Sequence, residues 1–141
     1  MSKITRTSGI ALAIIVATAF MATGCVKKVN FPTSKLSPST IAKAKMSADP
    51  NENTKVQFNA KHLALPWNVQ GGTKVYVLWA KVPDLATINL GQIRVAKSLK
   101  ASLKALTPYK EFKLLLTAEQ TPTAVAPSST VVLESDVIKA P

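Results

Sequence analysis

The chain has 141 residues and a formal net charge of +11, because 18 lysines and arginines stand against seven acidic residues. Its length suits one small domain with a tether, and its single cysteine excludes an internal disulfide. Arg6 and Arg94 are the only arginines, and no aromatic-basic stacking motif occurs. We therefore expect no nucleic-acid partner.

The first 25 residues have the three parts of a secretory signal. A basic start is followed by an apolar run over residues 10–22 and then by small residues that end at Cys25 (ATGC, residues 22–25). The apolar run is shorter than the roughly 20 residues that a transmembrane helix needs. The pattern resembles the signal peptide of bacterial lipoproteins, which is cut just before a diacylated cysteine. The resemblance implies that residues 1–24 are a cleaved signal peptide and that Cys25 carries the lipid; the alternative is an ordinary secreted protein with a free thiol.

Lipidation of Cys25 would consume a thiol that is otherwise reactive outside the cytoplasm. Two or three acyl chains, such as palmitate, hold a protein firmly, because each buried CH₂ contributes about 0.8 kcal/mol. We therefore expect an extracytoplasmic protein whose partner is the membrane, through the lipid anchor. Val26, rather than aspartate, follows the cysteine, and resemblance to sorted lipoproteins implies the outer membrane if the host is Gram-negative.

Residues 25–53 have the composition of a flexible linker. They contain three prolines and many Ser, Thr and Asn residues, with little apolar periodicity. Residues 39–47 fit about two turns of helix, which is marginal without a packing partner. The sequence therefore predicts a tether between the lipidated cysteine and a domain over residues 54–141.

From residue 54 onward the sequence takes on the period of β-strands. In residues 55–63, polar side chains alternate with Val56, Phe58 and Ala60, which predicts a half-buried strand. Residues 74–82 are nearly continuous in β-branched and aromatic side chains. This run predicts a central strand that is buried on both faces.

Further strands are predicted at residues 86–88, 92–95, 97–106, 111–118 and 130–133. The segment 97–106 alternates, but its leucines also share one helical face. We favour a strand there, because the neighbouring strands have similar lengths and the spacing of a sandwich. The predicted fold is therefore all-β, a small antiparallel β-sandwich of about six or seven short strands.

An ordered set of short motifs runs through this part of the chain. The set comprises YVLWA at residues 76–80, NLG at 89–91, LTAE at 116–119, Pro127 and VVL at 131–133. It resembles the extracytoplasmic C-terminal domain of anti-sigma-K-type factors over roughly residues 73–135. The resemblance implies a β-sandwich, which agrees with the alternation described above.

The sequence also departs from that family. Residues 127–129 are Pro-Ser-Ser where the family has Pro-Thr-Gly, and residues 119–120 are Glu-Gln where it has Glu-Pro. The sigma-binding helical segment and the transmembrane helix of the family have no counterpart in this sequence. We therefore expect no direct contact with a sigma factor.

Each motif residue has an expected structural role. Trp79, on the central strand, is expected in the core, and Gly91 is expected to permit a turn or a bulge. Glu119 follows Thr117 at the end of a strand, so it is expected to accept backbone or hydroxyl hydrogen bonds. Pro127 marks the loop before the last strand.

The sequence offers little support for catalysis or for a bound cofactor. The acidic residues have no paired spacing, His62 is the single histidine, and neither a nucleophile turn nor a phosphate loop occurs. We therefore expect no enzyme activity, no cofactor and no metal site.

The expected function is that of a lipid-anchored β-sandwich that binds or senses another component of the envelope, either a protein or an anionic polymer. Trp67, next to a proline and close to a Gly-Gly turn, is the best candidate for an exposed contact surface. The alternative is a basic structural spacer that adheres to anionic envelope polymers.

Overall fold

The computed structural model describes residues 24–141, so the predicted signal peptide, residues 1–24, lies outside it apart from Gly24. Nine strands and one short helix occur within the described range. In chain order they are β1 (Val26–Asn30), β2 (Ile41–Ala48), β3 (Thr54–Lys61), α1 (Pro66–Val69), β4 (Val75–Lys81), β5 (Ile88–Ile93), β6 (Ala101–Thr107), β7 (Glu111–Glu119), β8 (Val131–Glu134) and β9 (Ile138–Lys139).

The strands form two antiparallel sheets that pack as a small β-sandwich, which confirms the predicted all-β fold. Sheet I has the strand order β1-β2-β3-β6. Sheet II has the order β5-β4-β7-β8, and β9 pairs with the beginning of β7. Large side chains such as Phe58, Tyr76 and Leu116 fill the space between the sheets and are fully buried.

The prediction of a flexible linker over residues 25–53 is wrong, because this segment supplies two strands of sheet I. The expected helical turns at residues 39–47 fall in β2, where Ala42, Ala44 and Met46 alternate inward and are buried. These three residues lie opposite inward-facing residues of β3. Two of the three are alanines, which are only weakly hydrophobic. The alternation that is typical of a strand was therefore weak in the sequence. Within the described residues, the first strand therefore begins directly after Cys25, with no tether in between.

Three smaller differences separate the predicted from the observed strands. The two short strands predicted at 86–88 and 92–95 are one strand, β5. The segment 97–106 contains a strand, as favoured, but it begins only at Ala101 because residues 97–100 form a turn. Strand β9 was not predicted, since a pair of residues carries no detectable period.

The antiparallel register gives the sandwich two distinct ends. At the Cys25 end, Val26 lies opposite Ser47, and the Thr54 hydroxyl donates to the Tyr109 carbonyl at 2.8 Å. At the far end, the Tyr76 hydroxyl of sheet II donates to the Ala64 carbonyl at 2.6 Å, and burial raises the pKa of this phenol. An eight-residue strand such as β3 is roughly 26 Å long, and this length separates the two ends.

Candidate functional site: the far end and the outer faces of the two sheets

The outer face of sheet II is covered by the loop of residues 120–130. Val77, Trp79 and Leu115 form a small second core on this face, and Ala124 of the loop packs against it. Trp79 is fully buried there. The sequence placed Trp79 correctly in a core, although this core lies outside the sandwich rather than between the sheets. We call this surface the covered face.

A chain of hydrogen bonds joins the motif residues of the covered face. The Trp79 indole Nε1 donates to the Thr117 hydroxyl at 2.8 Å, and that hydroxyl donates to Glu119 Oε1 at 2.5 Å. The Ser128 backbone N–H donates to the same carboxylate oxygen at 2.7 Å. Glu119 therefore accepts one hydroxyl and one backbone hydrogen bond, and its geometry is that of a structural acceptor that ties the loop to the sheet.

Asn89 fastens the other side of the same loop. Its Nδ2 donates to the Pro122 carbonyl at 2.9 Å and to the Ala124 carbonyl at 3.1 Å. Its Oδ1 accepts from the Gly91 backbone N–H at 2.9 Å. One amide side chain thus joins β5 to the loop, and it also stabilises the local shape of β5.

Gly91 lies at a β-bulge, one of the two roles expected of it. The pairing with β4 shifts so that Leu78 faces Gly91 while Trp79 faces Asn89, which leaves Leu90 as the extra residue. Gly91 has φ +134°, a conformation that other residues rarely adopt, and an added Cβ would lie 3.5 Å from the Leu103 side chain. Pro127 lies in the covering loop and is half-buried.

Trp67 lies at the far end, on α1, and is 56% exposed. The helix is held in place by Thr73, whose hydroxyl donates to the carbonyls of Pro66 and Gln70 at 2.7 and 2.6 Å. Pro66 itself is buried. The backbone is therefore well fixed beneath an indole ring that projects from the fold.

Basic side chains surround Trp67. Together with Lys74, Gln92 and Arg94 it lines a shallow cavity of about 160 Å³. Arg94 also lines an adjacent open groove of about 410 Å³, together with Lys61 and Lys100. We call the combined area the far-end surface, and it comprises Trp67, Lys74, Arg94, Lys61 and Lys100.

The carboxylates are segregated from this surface. The acidic residues at the Cys25 end are partly or fully exposed: Asp49, Glu52, Asp84, Glu111, Glu134 and Asp136. Within the described residues, the far end has a single carboxylate, Glu119, which is 7% exposed and already accepts two hydrogen bonds. The far-end surface is therefore positively charged without a nearby exposed counter-charge.

The outer face of sheet I differs from the covered face because no segment of residues 24–141 covers it. Side chains directly opposite one another on neighbouring strands share a face, and Lys28, Lys45, Gln57 and Lys104 form one such row. The whole surface carries six exposed lysines, and the carboxylate of Asp49 lines an open cavity with two of them, Lys55 and Lys104, at the Cys25 end. We call it the lysine face, and its lysines are Lys28, Lys43, Lys45, Lys55, Lys61 and Lys104.

Cys25 is exposed and directly precedes the edge strand β1. The described part of the chain contains no cluster of three or more His, Cys, Asp or Glu side chains that could hold a metal ion. Within residues 24–141 there is also no helix with the length and hydrophobicity needed to cross a bilayer.

Comparison with known proteins adds one partial match. The model of the family described as a domain of unknown function (DUF1899) matches residues 31–83, from the end of β1 to just beyond β4. This segment includes Trp67 and most of the lysine face but neither Cys25 nor Arg94. No curated protein and no solved structure matches the chain.

Sequence reasoning found Trp67 but missed the basic residues beside it. Lys74 and Trp67 line the same cavity, and Arg94 directly follows β5, which reaches this end through its pairing with β4. The only advance signal was that Arg94 is the single arginine after the signal peptide. The lysine face was hidden for another reason: two of its strands include residues that were interpreted as linker.

Proposed function

We propose that the protein is a lipid-anchored, non-catalytic module of the bacterial envelope that binds an anionic envelope component through its far-end surface. One observation carries the proposal. An exposed tryptophan, an arginine and a lysine line the same cavity, at the end of the sandwich that has no exposed carboxylate. This end is also opposite Cys25, so an anchor there would leave it open.

The chemistry of the far-end surface defines the kind of ligand it would accept. The guanidinium of Arg94 can form two parallel hydrogen bonds to a carboxylate or phosphate group. Trp67 offers a large rigid surface that gains energy when water is removed from it. A ligand with regularly placed acidic groups beside apolar or ring surfaces, such as an acidic polysaccharide, meets both requirements.

Binding is tested by titration of the mature chain with polygalacturonate, a soluble polymer of acidic sugars, with neutral dextran as the comparison. We expect binding to persist at high salt, because a contact that excludes water is screened less than exposed charge. Trp67→Ala should weaken it by about tenfold or more, the usual effect at the centre of an interface. Leu85→Ala is the matched control, since Leu85 is 57% exposed and lies at the Cys25 end.

The lipid anchor is tested separately, by the intact mass of the protein purified from membranes. We expect an added mass of two or three acyl chains on the peptide that begins at Cys25, and Cys25→Ser should abolish it and release the protein in soluble form. An unmodified thiol in the membrane fraction, or cleavage at another site, would contradict the anchor without affecting the far-end surface.

The lysine face favours a second candidate, a basic spacer that adheres to anionic envelope polymers through scattered charge. Six lysines against the one bordering carboxylate of Asp49 would bind polyanions of many kinds. Such binding falls steeply as salt rises and would not depend on Trp67. Loss of all polygalacturonate binding at high salt, with Trp67→Ala unchanged at low salt, would favour this candidate over the far-end site.

A further inference from the structure

The lysine face concentrates positive charge that no ion pair within residues 24–141 neutralises. Lys28 and Lys45 lie directly opposite each other, and like charges at such positions repel. The ion pair formed within residues 24–141 is Lys113 with Glu134, which belongs to sheet II. None of these lysines is paired with a carboxylate within the described residues, so an external anionic surface can supply their counter-charge.

The position of Cys25 brings this face close to a membrane. Cys25 immediately precedes β1, the edge strand of sheet I, and Lys28 of that strand belongs to the lysine face. Since no tether separates the cysteine from the fold, a lipid at this position would hold the edge of sheet I at the headgroups. Lys28, three residues along the strand from Cys25, would then lie roughly 10 Å from the anchor, which is about a Debye length. Rotation of the domain about the anchor would bring the rest of the face to the membrane surface.

The two ways in which the domain can meet that membrane differ in charge. At the Cys25 end the six exposed carboxylates are mixed with lysines, so contact through this end offers little net attraction to an anionic surface. The lysine face offers six positive charges against one bordering negative charge, that of Asp49 beside Lys55 and Lys104. Electrostatics therefore favours a sandwich that lies on sheet I over one that stands on its Cys25 end.

We propose that the lysine face of sheet I docks on the anionic lipid headgroups of the membrane that holds the anchor. The strands then run along the membrane, and sheet II with its covered face points away from it. Lys61, which belongs to both surfaces, faces the headgroups, while Trp67, Lys74 and Arg94 of the far-end surface stay open at the side of the domain. The proposal rests on the lipid anchor of the proposed function for its location, but the affinity of the face for headgroups is a property of the folded domain alone.

The test uses the mature chain from residue 25 with Cys25→Ser, because this chain includes every strand of the two sheets described above and the substitution removes the lipid. Its binding is measured by co-sedimentation with vesicles of phosphatidylglycerol and phosphatidylcholine, and with phosphatidylcholine vesicles alone, at low and moderate salt. We expect binding only to the anionic vesicles, with weakening as salt rises.

A triple variant identifies the face. Lys43→Gln, Lys45→Gln and Lys104→Gln together should lower the affinity about a hundredfold, since each lysine near an anionic surface contributes about fivefold. The control replaces Lys81, Lys110 and Lys139 by Gln, three exposed lysines at the Cys25 end, and should lower the affinity less than about threefold. Circular dichroism and urea unfolding verify that both variants are folded.

Three results would overturn the proposal: equal losses in the two triple variants, no binding to anionic vesicles, or binding to polygalacturonate by this face without binding to vesicles. A failed vesicle experiment would not contradict the anchor or the far-end surface, because these are tested by intact mass and by polysaccharide affinity.

For the lipidated protein in vesicles, an amine reagent that does not cross membranes should label Lys81 and Lys110 and spare Lys43 and Lys45. The reverse pattern would also overturn the proposal.

Discussion

The outer faces of the two sheets differ: that of sheet II is covered by a loop, and that of sheet I is exposed. Sheet II buries its outer face beneath the loop of residues 120–130, with Trp79 and Leu115 in a small second core. Sheet I leaves its outer face open and lines it with lysines. Both sheets have an apolar inner face, and these inner faces form the shared core. The difference between the two outer faces therefore does not arise from core packing.

The contrast separates stabilising residues from residues that are available to a partner. On the covered face, Trp79, Thr117 and Glu119 hydrogen-bond to one another and to the loop, which leaves no buried polar side-chain atom among them without a partner. On the lysine face, the charged groups find no ion-pair partner within the described chain. Substitutions on the two faces should therefore change different measured quantities.

The largest expected effect is that of Trp79→Ala. The change removes the indole from the second core and leaves the Thr117 hydroxyl without its donor, so we expect a loss of about 3–5 kcal/mol in the free energy of unfolding. Urea unfolding measures this loss. Trp67→Ala, at an exposed position, should change the free energy of unfolding by less than about 0.5 kcal/mol. Equal losses for the two variants would contradict the claim that Trp79, and not Trp67, is part of a core.

Glu119→Ala should have the next largest effect. It leaves the buried Thr117 hydroxyl and the Ser128 N–H without their acceptor, at a cost of about 1–3 kcal/mol in the free energy of unfolding. Glu119→Gln keeps an acceptor oxygen and should cost less. If the two substitutions were equally harmful, the negative charge of Glu119, rather than its hydrogen bonds, would be what the fold needs.

Asn89→Ala tests the fastening of the loop from the other side. The loss of two hydrogen bonds to the loop and one to Gly91 should lower the free energy of unfolding by about 1–2 kcal/mol. It should also raise the rate of proteolytic cleavage within residues 120–130, because the loop opens more often. Unchanged cleavage would show that the contacts of Ala124 and Ser128 alone hold the loop.

The smallest effect on stability is expected from the lysine face. The triple change of Lys43, Lys45 and Lys104 to Gln should alter the free energy of unfolding by less than about 0.5 kcal/mol, and a slight increase is expected because like charges are removed. A loss of 2 kcal/mol or more in urea unfolding would mean that these lysines hold the fold together, which the structure gives no reason to expect.

A strand could be predicted from the sequence where its inward and outward side chains differ strongly in hydrophobicity. Strand β3 and strand β4 were predictable because Val56, Phe58 and Trp79 mark their buried faces strongly. Strand β2 was not, because its inward residues include two alanines and its surroundings are rich in Ser and Pro. Its burial depends on pairing with β3 across a hairpin, which local propensity does not encode.

The candidate site was predictable only in part, for a similar reason. Trp67 stands out as an aromatic residue in a turn-rich segment, and the expected hydrogen bonding of Glu119 follows from its position after Thr117. The convergence of Lys74 and Arg94 on Trp67, and of six lysines on one face, comes from the order and register of the strands. Such long-range pairing carries little local signal in one sequence.

The division between a stabilising face and a binding face is the central claim, and one paired measurement tests it most directly. Glu119→Ala and the triple lysine variant are each measured for the free energy of urea unfolding and for affinity to anionic vesicles. We predict that Glu119→Ala lowers the first by about 1–3 kcal/mol and leaves the second unchanged, while the lysine variant does the reverse. Parallel changes in both quantities for both variants would contradict the division.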